Sequence, residues 1–293
     1  MSQNGSSDID QRKQQLSGIF DGASTTYDHV GPRFFSHFGR RLVEIAQIPS
    51  GSKVLDVATG RGALLFPAAK SVGPQGNVTG IDLSEMMVQQ THKELVRKKM
   101  TPYVEVRQMD AEQLLFPDKS FDYVLCGFAI FFFPQLDQAM AEFHRVLKPA
   151  GHICVSTFDK LAYKEWEWFE DIVESYLPSD PEATQENKTN SSSQPVFDTP
   201  EGLTEIMKSA DFENIQIFTE TAEFVYATED EFWSTLWSHG QRATLEKIEQ
   251  EKGKEELQEF KLDVFKKVSE LKNPDGLHQV IPVLVCLATK STA

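Results

Sequence analysis

Lys53-Val54-Leu55-Asp56-Val57-Ala58-Thr59-Gly60-Arg61-Gly62, together with the residues that follow it to Asp82, decides how this chain folds. Val54 to Ala58 is a short apolar run broken by one acid, the composition of a strand buried on both faces of a parallel sheet. Thr59-Gly60-Arg61-Gly62 turns the chain, and Ala63 to Ser71 reads as a helix. A second strand, Asn77 to Ile81, then ends on Asp82. Strand, glycine turn, helix and strand make a βαβ unit of the kind that binds a nucleotide at its strand tips. The glycines let backbone approach a ligand closely, and the helix start offers free N–H groups. An acid at the second tip is placed to accept both hydroxyls of a ribose.

Further along, more segments arrive in an order that gives the motif meaning. Val104 to Met109 alternates like a third strand and is followed by Asp110-Ala111-Glu112. Phe116-Pro117-Asp118-Lys119-Ser120-Phe121-Asp122 is a Pro-Asp turn leading into a buried strand that ends at Cys126-Gly127-Phe128. Leu136 to Leu147 is helical, Arg145 to His152 carries a turn through Pro149-Ala150-Gly151, and a fifth strand runs from Ile153 to Phe158. Asn214 to Tyr226 and Val280 to Thr289 supply a sixth and a seventh.

In this order the segments resemble the class I S-adenosylmethionine (SAM)-dependent methyltransferases, in the branch of ubiquinone/menaquinone-biosynthesis and small-molecule enzymes. Val54 to Gly62 resembles the family's first motif, with Ala58 where a glycine often sits. Phe116 to Gly127 resembles the second, and Arg145 to His152 the third, with Ala150 where glycine is usual. The resemblance implies an α/β fold: a Rossmann-like, seven-stranded, mostly parallel sheet with helices on both faces, a helical N-terminal lid and helical insertions. It implies SAM as cofactor, held by Tyr27, Asp56, Ala58, Gly60, Gly62, Asp82, Leu83, Met87, Asp110, Ala111, Gly127 and Phe128. In it, Leu83 and Met87 flank the adenine, the Asp110 carboxylate takes the adenine amino group, and Tyr27 closes over the amino acid end. Asp110 as a helix N-cap and Met87 as core are the plain structural alternatives.

The domain plan follows. Residues 1–293 read as one methyltransferase domain: a lid over 1–50, a SAM-binding core over 51–158, a cap insertion over 159–212 and the last strands over 213–293, with a helical insertion at 228–271. Ser179 to Pro195, polar and rich in Ser and Asn, reads as a mobile loop that orders with substrate.

Composition narrows the partners. The net charge of −15 argues against nucleic acid, which needs a basic face. The longest apolar run, Tyr123 to Phe133, is too short to span a bilayer, so no membrane partner is expected. Cys126, Cys154 and Cys286 lie in apolar runs without metal-ligand spacing, which points to buried thiols, no metal and a reducing, cytoplasmic setting. A monomer or homodimer is expected.

Methyl transfer asks mainly for orientation and desolvation. A base, if used, is sought among His29, His37 and His239 in the lid segments, with His29 and His239 the weak catalytic candidates. Phe20, Phe132, Trp166, Trp237 and His239 are the candidates for substrate contact. The reading is therefore a methyltransferase acting on a small aromatic or apolar specialised metabolite, at N, O or C. The alternatives are a quinone-precursor C-methyltransferase, a nicotinamide-dependent oxidoreductase and a non-catalytic SAM-binding subunit. The oxidoreductase predicts a third glycine that Gly60 to Leu65 lacks.

Overall fold

A computed structural model describes residues 4–178 and 196–291. The expected mobile loop, Ser179 to Pro195, lies outside the described residues. Seven strands form one sheet in the order β3-β2-β1-β4-β5-β7-β6. They are β1 (Lys53–Val57), β2 (Asn77–Asp82), β3 (Val104–Gln108), β4 (Phe121–Gly127), β5 (Leu147–Phe158), β6 (Phe212–Tyr226) and β7 (Leu277–Lys290). The first five are parallel, and β7 enters antiparallel between β5 and β6. The order reverses between β1 and β4, and at such a switch point a crevice opens beyond the carboxyl ends of the strands.

Among the described residues ten helices surround the sheet. They are α1 (Asn4–Ala23), α2 (Phe34–Ala46), α3 (Leu65–Val72), α4 (Glu85–Arg97), α5 (Leu136–Val146), α6 (Glu167–Tyr176), α7 (Pro200–Ser209), α8 (Glu229–Ser238), α9 (Arg242–Lys252) and α10 (Lys254–Leu271). Their apolar stripes explain the layers. Leu136, Ala139, Met140, Phe143 and Val146 recur at helical spacing on α5 and pack under one sheet face with Leu203, Ile206 and Met207 of α7. Leu42, Val43 and Ala46 of α2 join Leu65, Ala68, Ala69 and Val72 of α3 on the other. A separate cluster, Phe169, Phe232, Leu236, Leu245, Phe260, Val264 and Val268, joins α6, α8, α9 and α10 into a cap.

Several boundaries move from those expected. α3 begins at Leu65 because residues 61–64 remain in the turn. The expected helix over Leu161 to Leu177 splits into a 3₁₀ turn, Lys160–Glu165, and α6. β7 starts at Leu277, because it pairs with β6 from Leu277 opposite Tyr226 to Lys290 opposite Phe212. That long ribbon carries the cap beyond the parallel strands.

Two polar contacts fix the entrance. Asp28 is buried and accepts hydrogen bonds from Phe35 N (3.0 Å), Ser36 N (2.8 Å) and Ser36 Oγ, closing the start of α2. Asp122 accepts from Lys53 N (2.8 Å) and Lys148 Nζ (2.6 Å), tying β1, β4 and β5 together. Its part is structural.

Candidate functional site

Two cavities lie above the carboxyl ends of the strands, and they share a wall. The first, about 790 Å³ including its mouth, is a cleft between the tips of β1, β2 and β4 and the N-terminal helix. Tyr27, Ala58, Gly60, Asp82, Leu83, Met87, Asp110, Ala111, Gly127 and Phe128 line it, so ten of the twelve expected cofactor residues come together.

Local geometry explains how. Asp82 Oδ2 accepts from Gly60 N (2.8 Å) and Oδ1 from Ser84 N (2.9 Å), which ties the β1 turn to the β2 tip. Each oxygen keeps a lone pair for a ligand hydroxyl. Burial pushes the Asp82 carboxyl up to about 6, against the backbone amides of Ser84, Gly60 and Leu83 that hold it down. Gly60 has φ +50°, and a Cβ there would project toward the cleft with only the Tyr27 ring within 4 Å, at 3.8 Å. A ligand backbone or sugar can rest on that turn.

The other two expected cofactor residues, Asp56 and Gly62, do not line the cleft. Asp56 sits beneath the turn, where Thr59 Oγ1 donates to its Oδ2 at 2.6 Å while its buried Oδ1 has no hydrogen-bond partner. Burial pushes its carboxyl up to about 7. Gly62 faces away, and a Cβ there would run into the Phe66 ring at 2.6 Å.

The sequence reading missed four polar residues of the cleft: Lys13, Ser17, Ser84 and Glu112. Lys13 of α1 donates to Asp110 Oδ2 at 2.7 Å and pairs with Glu112. Burial works against the Lys13 ammonium, and the two carboxylates outweigh it and raise its pKa. Glu112 also accepts from Gln135 N (2.7 Å) and Nε2 (3.2 Å). Asp110 Oδ1 accepts from Glu112 N at 2.9 Å, so it does cap its turn while also facing the cleft. Nothing in the local pattern of Lys13 announces this, because its partners lie about a hundred residues away.

The second cavity, about 1010 Å³ including its mouth, lies between the lid and the cap. Phe20, Tyr27, Phe128 and Phe132 line both spaces. Phe34, Phe35, Phe131, Phe158, Trp166, Tyr226, Leu236, His239, Gln279 and Ile281 complete much of the rest. Tyr27 stacks on Phe35 with centroids 5.0 Å apart, and the His239 ring stands edge-on to both, at 5.4 and 5.1 Å. His239 Nε2 is shut off from solvent without a partner, and desolvation lowers the imidazole to about 4. It is therefore neutral across the physiological range.

Of the substrate candidates, Phe20, Phe132, Trp166 and His239 reach this space and Trp237 does not. Thr235 and Leu236 of α8 and His239 just past its end line the cavity, and Trp237 between them does not. It lies instead under Arg242 (5.3 Å) and beside Trp233 (6.4 Å). His29 is also outside both cavities, exposed and with Nδ1 2.8 Å from the Tyr27 carbonyl oxygen. His37 packs edge-on against Phe38 and Phe224 instead, and burial lowers its pKa. Among the described residues no group of three or more His, Cys, Asp or Glu could hold a metal ion. No described helix is long and apolar enough to cross a membrane.

Comparison with known proteins gives a consistent result. Residues 48–261 match the family model described as "Methyltransferase domain". The chain is 40% identical over 145 residues to aklanonic acid methyltransferase DauC of Streptomyces sp. (strain C5), a match covering 50% of this chain and 66% of that protein. It is 31% identical over 236 residues to nocamycin O-methyltransferase of Saccharothrix syringae, covering 79% of this chain and 84% of that one. Among solved structures, the YcgJ protein from Bacillus subtilis superposes with a TM-score of 0.57 at 18% identity, over 88% of this chain and 100% of that one. That likeness shows the fold.

Proposed function

Because the chain belongs to the class I SAM-dependent methyltransferases of the small-molecule branch, we propose that it methylates an oxygen of a flat, largely aromatic small molecule held in the second cavity. One observation carries this reading. The cleft at the strand tips and the aromatic cavity meet across Phe20, Tyr27, Phe128 and Phe132, so a ligand in each would approach the other through a wall of rings alone.

The residues present fit the cofactor. Asp82 offers two oriented acceptors for ribose hydroxyls, and Gly60 leaves room where a Cβ would intrude. Leu83 and Met87 would flank the base, and Asp110 and Ala111 would meet its polar edge. SAM, when bound, supplies a methyl group on a positively charged sulfur that departs as a neutral thioether.

This chain's residues then provide placement and dryness. Phe20, Tyr27, Phe128 and Phe132 exclude water from the junction. Burial, with the charges of Asp28 and Asp82 adding to it, raises the Tyr27 phenol well above its ordinary value, so it stays protonated. His239, neutral and weakly basic, is suited to hydrogen-bond an acceptor oxygen rather than to strip a proton from an ordinary alcohol. An acceptor that ionises readily, such as a carboxylic acid or an acidic phenol or enol, suits such a site. One relative's name supports oxygen: it is an O-methyltransferase.

The test is methyl transfer from methyl-labelled SAM to a panel of hydroxy- and carboxy-substituted naphthoquinones and anthraquinones. Label should appear on oxygen, released by mild alkali from an ester and retained in an aryl ether. Transfer to carbon only, or to none of the panel, would overturn the proposal.

A further inference from the structure

β7 presents one inward stripe, Leu277, Gln279, Ile281 and Val283, all buried, while His278, Val280 and Pro282 between them are more open. Three of the four are aliphatic, as the inner face of a sheet requires. Gln279 is the exception and is only 2% exposed. Its Nε2 donates to the carbonyl oxygen of Glu165 at 3.3 Å. A carbonyl can only accept, so this contact sets which end of the amide is which and leaves Oε1 on the other side. Oε1 is buried without any hydrogen-bond partner, and Gln279 lines the aromatic cavity beside Ile281, Trp166 and His239.

A buried carbonyl without a donor is costly, and a core position that needed only packing would be filled by Leu or Met. We propose that Gln279 is a specificity-determining residue of the acceptor cavity: its Oε1 accepts a hydrogen bond from a hydroxyl or N–H on the ring system of the methyl acceptor. This rests on the reading of that cavity as the acceptor site and narrows it. The substrate class becomes a polycyclic aromatic carrying a hydrogen-bond donor at the edge facing β7, away from the junction with the cofactor cleft. The donor is a recognition group rather than the reacting one. A substrate whose group there is alkylated or missing leaves Oε1 buried and unpaired, and discrimination by such loss is strong.

The probes are 2,6-dihydroxyanthraquinone and 2,6-dimethoxyanthraquinone, with binding to the full chain followed by quenching of tryptophan fluorescence, which Trp166 in the cavity wall reports. The wild-type protein should bind the dihydroxy compound at least about fivefold more tightly than the dimethoxy one. Gln279→Met, close in shape and without the acceptor, should bring the two to within about twofold, with SAM affinity by calorimetry unchanged. The wild-type comparison stands without any variant, should Gln279→Met fold poorly. Equal wild-type binding of the two probes, or a preference that survives in Gln279→Met, would overturn the role of Gln279 while leaving the aromatic cavity in place. If neither probe binds while SAM does, the reading of the cavity falls, and this inference with it.

Discussion

Asp82 concentrates the chemistry of the cleft in one carboxylate. Its oxygens take one backbone N–H each, from Gly60 and Ser84, and so point their remaining lone pairs outward. Asp82→Asn must set an NH₂ against one of those N–H groups. We expect it to weaken SAM binding by about 1–3 kcal/mol, read by calorimetry; an unchanged Kd would remove Asp82 from the site. The same carboxyl couples the site to pH. Burial raises Asp82 to about 6 and Asp56 to about 7, whereas an unfolded Asp titrates near 3.9. Between those values the folded chain holds more protons than the unfolded one, so the two acids' contribution to stability is complete below about pH 4. It is lost as pH rises through 6 and then 7. SAM is cationic and needs the ionised form, so its affinity should run the other way, strengthening severalfold from pH 5 to pH 7. Calorimetry on wild type and Asp82→Asn checks this, since the variant should lose most of the dependence. Two alanines carry a related lesson. Ala58 (φ +53°) and Ala150 (φ +60°) stand in the left-handed region, where the family resemblance expects glycine. The backbone has kept the turn and accepts strain of about 1 kcal/mol at each.

The N-terminal helix α1 is an element held by polar clasps at both ends of its inner face. Lys13 grips Asp110 and Glu112, and Asp21 Oδ1 accepts from Ser84 Oγ (2.5 Å) and Met86 N (3.1 Å). Removing Lys13 leaves Glu112, 1% exposed, with only Gln135 as donor. Lys13→Met should therefore cost on the order of 2 kcal/mol, less than the roughly 3–5 of a buried charge stripped of its only partner. Hydrogen exchange checks where the cost falls. Protection should drop across Asn4–Ala23 and remain intact in β1 and β4; uniform loss would mean that α1 is no separate clasp. Helix α2 relies on close approach instead. A Cβ on Gly39 would meet the Ala63 carbonyl oxygen at 2.4 Å, so this glycine lets α2 lie directly against the β1 turn.

Across the molecule, the cap owes its place to a cluster of its own, which meets the sheet at Tyr226 and Leu277 where the β6-β7 ribbon runs past the parallel strands. Phe260 lies at its centre, fully buried, with Phe169 (5.9 Å), Tyr176 (5.2 Å) and Trp233 (6.2 Å) around it. Phe260→Ala should destabilise the protein by about 3–5 kcal/mol in urea unfolding. It should also lower methyl transfer more than SAM binding, because His239, at the end of α8, lines the proposed acceptor cavity; equal loss of both would place the cap in the cofactor cleft. The sequence by itself determined the parallel core and the cleft at its strand tips. Those features are written in contiguous residues, where strand, glycine turn and terminal acid follow one another within 30 positions, and local pattern suffices. It also brought Phe20, Phe132, Trp166 and His239 into view through the density of aromatics around them. Only the tertiary structure decided that Lys13 meets Asp110, that Trp237 stays out of the aromatic cavity, and that Gln279 faces the rings with an unpaired oxygen. Each of those depends on which segments far apart in the chain pack together, and neither hydrophobic period nor motif spacing encodes a contact across a hundred residues.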